Sequence, residues 1–200
     1  AMTHTITIRK YRREDENGWV RCRVLSLLDT PYYDDVQPQK PQFDTPAIEI
    51  VADYGGQIVG VLDIQCDSSE RSICYRNETP GGIIRTLAVL PEFRREKVAV
   101  HLLKYACDLL REAGIGHLEA WVREDAGAEA FFQRQGFSTS YSYLHFYADG
   151  SHCRDFGQCR ILDCFVLSLY GEYTGSEPDL IRASADRAYT CALYERPLDL

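Results

Sequence analysis

One segment constrains the chain more than any other: IIRTLAVLPEFRREKVAVHLLKYACDLLREAGI, residues 83–115. Residues 82–90 are β-branched and apolar and are closed by Pro91, which predicts a buried strand. From Arg94 to about Ala113 the apolar residues Val98, Leu102, Tyr105, Ala106, Leu109 and Leu110 recur at helical spacing. Gly114 stands where a helix C-cap belongs. A strand, a tight turn and a long amphipathic helix make half of a layered α/β unit. The turn is basic: Arg94, Arg95 and Lys97 surround the single anion Glu96. Cations suit the first turn of a helix poorly, because the dipole there is already positive. They suit it well if a phosphate-bearing ligand docks on the free backbone N–H groups. A solvated basic turn without a ligand is the alternative that charge alone leaves open.

The elements on either side extend the pattern. Residues 4–9 alternate as a first strand, and Trp19, Val20, Val24, Leu27 and Leu28 predict a helix over 15–28 that ends before Thr30-Pro31. Residues 31–46 hold four prolines and read as a loop. Strands 47–53 and 57–65 flank Tyr54-Gly55-Gly56 as a hairpin. After the long helix come a strand (117–122), a short helix (125–135), a strand (137–147), an elaborated segment (148–186) and a final strand (187–195). The expected fold is α/β, one domain over residues 1–200, with at least partly parallel pairing.

Composition excludes several functions. The 22 Lys+Arg against 30 Asp+Glu give a net charge of −8, which argues against a nucleic-acid partner. No run of roughly 18 apolar residues predicts a membrane span, and the start AMTHTITIRKYRRED lacks the apolar stretch of a signal peptide. A cytoplasmic protein is expected. Its eight cysteines then read as reduced thiols. The cluster His152, Cys153, Cys159, Cys164 lacks the tight spacing of a structural zinc site, so no metal is expected.

Two motifs carry a resemblance. LAVLPEFRREKVAVHLL is similar to the strand–turn–helix of the GCN5-related N-acetyltransferase (GNAT) family, whose turn reads Arg/Gln-x-x-Gly-x-Gly/Ala: Arg94 and Ala99 fit, and Lys97 takes the place of the first glycine. DAGAEAFFQRQGF resembles the family's Asn-x-x-Ala-…-Tyr-x-x-x-Gly-Phe segment: Ala128, Gly136 and Phe137 fit, with Asp125 at the Asn and Phe132 at the Tyr. The resemblance covers most of residues 3–147, plus the final strand, and leaves 148–186 as a C-terminal insertion. It implies a mixed, centrally splayed β-sheet flanked by helices, opening between strands 82–90 and 117–122. Acetyl-CoA would lie in the gap as cosubstrate, its pantetheine along Leu87, Ala88 and Val89 and its pyrophosphate on residues 94–99 (Arg94, Arg95, Glu96, Lys97, Val98, Ala99). Asp125, Ala128 and Phe132 would complete the cofactor site.

The activity implied is direct transfer of the acetyl group to an amine of a small molecule or peptide in a ternary complex. The alternative is a CoA-ligand-binding or regulatory module with weak or no turnover. Two departures motivate it: Lys97 forfeits the freedom of glycine, and Phe132 has no proton for the departing thiolate. Direct attack also needs a base. Strand parity puts His117, Glu119, Trp121 and Arg123 on one face, which makes Glu119 the first candidate, against a structural pairing with Arg85 or Arg123. Tyr143 and His145 on the strand after Gly136 are candidates to reach the same cleft, against half-buried sheet packing of a strand that also carries Tyr141 and Tyr147. The resemblance also implies that the loop after the first helix shapes the acceptor pocket, so Tyr32, Tyr33, Asp34 and Asp35 are candidates to hold a cationic amine, against a solvated acidic loop. The 148–186 insertion is expected either to lid the acceptor pocket or to form a homodimer contact.

Overall fold

A computed structural model describes residues 5–199. His4 and the start of the expected core lie outside the described residues. The elements in chain order are β1 (Ile6–Lys10), α1 (Glu16–Leu27), β2 (Ala47–Tyr54), β3 (Gln57–Cys66), β4 (Gly81–Val89), α2 (Val98–Glu112), β5 (His117–Arg123), α3 (Ala126–Arg134), β6 (Ser138–Asp149), α4 (Cys153–Phe156), β7 (Ser168–Tyr173), α5 (Pro178–Ser184) and β8 (Arg187–Pro197). The strands form one eight-stranded sheet in the order β1-β2-β3-β4-β5-β8-β6-β7. Among the described residues only β4 and β5 pair in parallel, so the sheet is mixed, with helices on its faces.

Local chemistry explains the elements. All of β3 except Gln57 is buried, as expected of a central strand that reads as a near-continuous apolar run. Gly55 and Gly56 both take positive φ, 60° and 93°, and close the β2–β3 hairpin in the mirror-image turn that its twist prefers. The C-terminus of α2 ends on Gly114 at φ 75°, with Ile115 N–H donating back to Leu110 O at 2.9 Å.

Two expectations are corrected here. The buried face of α1 is Trp19, Cys22, Arg23 and Ser26, and Leu28 is exposed. Polar residues win burial there because each has a partner: Trp19 Nε1 donates to Asp63 Oδ2 (2.9 Å), and Arg23 pairs with Asp35 (2.6 Å). The helix expected from Arg94 begins at Val98, which leaves the basic residues in the turn ahead of it.

The opening of the sheet has a visible cause. Parallel pairing runs only from Gly81↔His117 to Ile84↔Ala120. On the other edge of β4 the register jumps between Asp63↔Thr86 and Ile64↔Ile84, so Arg85 is the extra residue of a β-bulge. A bulge bends its strand and increases the local twist. Beyond it β4 stays with β3, while residues 121–123 of β5 stay with β8 (Trp121↔Leu193, Arg123↔Cys191). The splay expected between these strands is present.

The 148–186 segment adds β7 along the edge of β6, from Leu144↔Tyr173 to Asp149↔Ser168. β8 then returns between β5 and β6. No helix among the described residues is long and apolar enough to cross a membrane.

Candidate active site

The splayed gap lies along the C-terminal end of β4, which the turn connects to α2. Of the three basic side chains in the turn, Arg94 is already committed. It pairs with Asp29 at 2.6 and 2.9 Å and donates to Ser26 O at 2.8 Å, fastening the turn to the end of α1. Arg95 and Lys97 are exposed and have no ion pair among the described residues. Both have left-handed backbones, Arg95 at φ 69° and Lys97 at φ 59°, ψ 18°. Lys97 therefore keeps the dihedrals a glycine would supply, at a cost of about 1–2 kcal/mol. The expectation that lysine forfeits that geometry is corrected. No acid occupies the first turn of α2, whose leading N–H groups have no acceptor within the helix. Gly60 brings β3 close beneath: a Cβ there would stand 2.8 Å from Val98 Cγ1.

Leu87 and Val89 are half-buried and Ala88 is buried, all on the stretch of β4 that has lost its β5 neighbour. Asp125 caps α3, its Oδ1 accepting from Gly127 N (2.8 Å) and Ala128 N (3.0 Å). Phe132 is buried among Phe131, Phe137 and Tyr194, with ring centroids 5.3, 5.1 and 5.8 Å away.

Glu119 departs from its expected role. It is 0 % exposed and pairs with neither Arg85 nor Arg123. Its two oxygens accept from the backbone N–H groups of Tyr75 and Arg76, each at 2.8 Å. It also lies opposite Ile83, in the paired half of β5. A carboxylate sealed there anchors the β3–β4 connection and has no path to an incoming amine. Arg85 donates to Gln65 Oε1 at 2.9 Å.

The acidic loop is likewise neutralised from within. Asp34 lies between Arg187 (2.9 Å) and Arg123 (3.5 Å), and Asp35 holds Arg23. Arg187 stacks 5.0 Å from the Tyr33 ring centroid. The Tyr32 hydroxyl accepts from Arg123 N at 2.6 Å, and Arg123 Nη1 donates to Pro31 O at 3.0 Å. These four residues bind the protein's own arginines, so the loop offers no free negative charge to a cationic acceptor.

The remaining candidate, Tyr143, belongs to a cluster that sequence reading saw only in part. Its ring lies 5.2 Å from Trp121, and its hydroxyl is 3.0 Å from His145 Nε2. The other imidazole nitrogen meets the Tyr170 hydroxyl, contributed by β7. Burial, with Arg123 nearby, pushes His145 down to about 4, and burial pushes the Tyr143 phenol up. At neutral pH the cluster is therefore an uncharged imidazole between two protonated phenols. The alternation Tyr141, Tyr143, His145, Tyr147 was the available signal for His145; nothing local marked Tyr170. Because the folded His145 titrates below its ordinary 6.5, its contribution to stability is present above pH 6.5 and lost as pH falls toward 4. Ring-proton NMR is expected to show the His145 resonance still in its neutral form at pH 5, and that resonance should be absent in His145→Gln.

Comparisons with known proteins bear on the family and the fold. The model of the acetyltransferase (GNAT) family matches residues 11–137. No curated protein sequence matches the chain. The ribosomal-protein-S18-alanine N-acetyltransferase of Escherichia coli superposes with a TM-score of 0.61 at 13 % identity, covering 98 % of this chain and 96 % of that one. A putative acetyltransferase of Salmonella typhimurium, yncA, solved with acetyl-CoA, gives 0.58 at 14 % identity over 98 % and 95 %. The paia N-acetyltransferase of Thermoplasma acidophilum, solved with coenzyme A, gives 0.53 at 14 % over 68 % and 91 %. At such identities the structures share a fold, while the family match spans the β4–α2 turn and the α3 segment together. The chain belongs to the GNAT acetyltransferase family.

Proposed function

We propose that the chain transfers an acetyl group from acetyl-CoA to an amine of a small molecule or peptide by direct attack. The observation that carries this reading is the early end of β4–β5 pairing at Ile84↔Ala120, beside a turn with two free cations and left-handed backbone. Residues 87–89 offer an unpaired strand edge to an extended, amide-bearing chain. Arg95, Lys97 and the leading amides of α2 offer cations and N–H donors to a pyrophosphate. Acetyl-CoA, when bound, supplies an acyl group activated as a thioester.

The chain's own residues handle the proton. An attacking amine must shed one, and Glu119 is out of reach. Tyr143 packs beside Trp121, which lies past the end of β4–β5 pairing, and the two rings offer an ammonium or amine an aromatic surface. The proton passes through the Tyr143 hydroxyl and His145 to Tyr170, which is half exposed and meets water. His145 at about 4 does not retain it, as a relay requires.

Phe132 gives the alternative its one support, since it supplies no proton to the leaving thiolate. Two measurements decide. Acetyl-CoA is expected to raise the melting temperature, because a ligand of the native state stabilises it. Thiol release is expected with at least one amine of a varied panel. Binding without thiol release from any amine would leave a CoA-binding module, and no thermal shift would remove both readings. Phe132→Tyr is expected to raise kcat about tenfold, below the roughly 10²–10⁴ of a typical positioned acid, because a thiolate of pKa near 8.5 already leaves tolerably.

A further inference from the structure

The β3–β4 connection, residues 67–80, is mostly exposed, yet backbone contacts hold it in one place. Asp67 accepts from the N–H groups of Ile73 (2.6 Å), Cys74 (3.1 Å) and Gly81 (2.8 Å), and Glu119 accepts from those of Tyr75 and Arg76. This folding brings Cys74 Sγ, His117 Nε2 and a Glu119 oxygen within 4.8 Å of one another. These are three donor types that zinc accepts, drawn from a loop and from alternate residues of β5.

Three details point to a ligand among them. His117 Nε2 is enclosed without a hydrogen-bond partner. It faces Glu119 Oε1 at 3.3 Å, close to the separation of about 3.3–3.5 Å that N and O ligands adopt around a tetrahedral zinc with bonds of about 2.0–2.1 Å. The other ring nitrogen, Nδ1, contacts Thr79 Oγ1 at 3.2 Å, an outer partner that orients a ligating imidazole. Finally, Gly81 leaves the space open: a Cβ there would sit 2.3 Å from His117 Nε2 and 2.9 Å from Cys74 Sγ. Any other residue at the start of β4 would fill the cradle.

We propose that Cys74, His117 and Glu119 bind one zinc ion, with water at the fourth position, stapling residues 67–80 onto β5. Binding displaces the Cys74 thiol proton, so thiolate, carboxylate and imidazole together balance the 2+ charge. The site lies in the paired half of β5, away from the gap, and is independent of the acetyl-transfer reading.

The test uses the full chain, stripped with a chelator and then titrated with Zn²⁺ against a chromophoric competitor, and separately with Co²⁺. One Zn²⁺ per chain is expected, as is a thiolate-to-cobalt charge-transfer band. Cys74→Ser should abolish the band and weaken zinc by more than the 10–100-fold that loss of an outer partner costs. Cys164→Ser, on an exposed thiol, should change neither. Zinc should slow tryptic cleavage after Arg71 and Arg76 in the parent chain but not in Cys74→Ser. Metal-free melting of Cys74→Ser, matched to the metal-free parent, excludes misfolding as the cause. The proposal is overturned if the parent binds no stoichiometric Zn²⁺, or if Cys74→Ser binds it as tightly. Loss of the cobalt band in Cys164→Ser, with retention in Cys74→Ser, would also overturn it.

Discussion

Reversing the two free charges of the β4–α2 turn, Arg95→Glu with Lys97→Glu, is expected to weaken acetyl-CoA binding about a hundredfold. A charge-assisted hydrogen bond contributes about 1.5–3 kcal/mol, and two reversed contacts at an exposed, salt-screened site come to about 3 kcal/mol. Neither side chain has an ion pair to lose among the described residues, so stability should change little and the effect should lie in affinity. Arg94→Glu makes the contrast. It breaks the contacts to Asp29 and Ser26, and so should lower the melting temperature as well. Calorimetric titration at two salt concentrations reads the effect, and the parent's affinity should fall more steeply with salt than the variant's. A change of less than threefold would remove the turn from the cofactor site.

Lys40→Met is expected to lower the unfolding free energy by about 3–5 kcal/mol, the cost of stranding one member of a buried ion pair. Lys40 comes from the proline-rich loop but is buried, its Nζ contacting Glu49 and lying 3.2 Å from Asp63 Oδ1. The rings of Tyr11, Trp19 and Phe43 surround it, with centroids 4.9, 5.5 and 5.2 Å away. Asp63 is 0 % exposed, and burial raises it to about 6 even with Lys40 beside it. A folded-state value above the ordinary 3.8 means that native Asp63 favours its proton. Its contribution to stability is full below pH 3.8 and is lost as pH rises through about 6. The deficit of Lys40→Met should therefore be larger at pH 8 than at pH 5, where Asp63 can protonate. In an Asp63→Asn background the same substitution should cost much less, since no buried charge is then stranded. Denaturant unfolding at both pH values measures this. A loss below about 1 kcal/mol at pH 8 would mean that the pair is not buried as described.

Most of the local structure was legible because it depends on neighbours in sequence. Alternation, helical spacing, the Gly55-Gly56 turn and the Gly114 cap act over a few residues, and the observed elements follow them closely. The buried face of α1 is not legible in this way, for the opposite reason. Arg23 and Ser26 are buried by contacts with residues outside the helix or with its backbone, which an apolar count cannot register. The site divides the same way. The basic turn was readable as a run of charge, but which cation was free was not, because Arg94 is claimed by Asp29, 65 residues away. Glu119 looked available on strand parity, and its captors Tyr75 and Arg76 lie 44 and 43 residues upstream.

By itself the sequence determined an α/β chain with a strand, a basic turn and a long helix whose motifs match one family. Only the tertiary structure decided where β4 leaves β5, that β8 enters between β5 and β6, and that Tyr170 joins Tyr143 and His145. It also decided that Asp34 is spent on Arg187 across 153 residues. Periodicity and turn dihedrals are encoded in adjacent residues. Strand order, bulge position and the partner of a charged side chain depend on which distant segments the sheet brings into register.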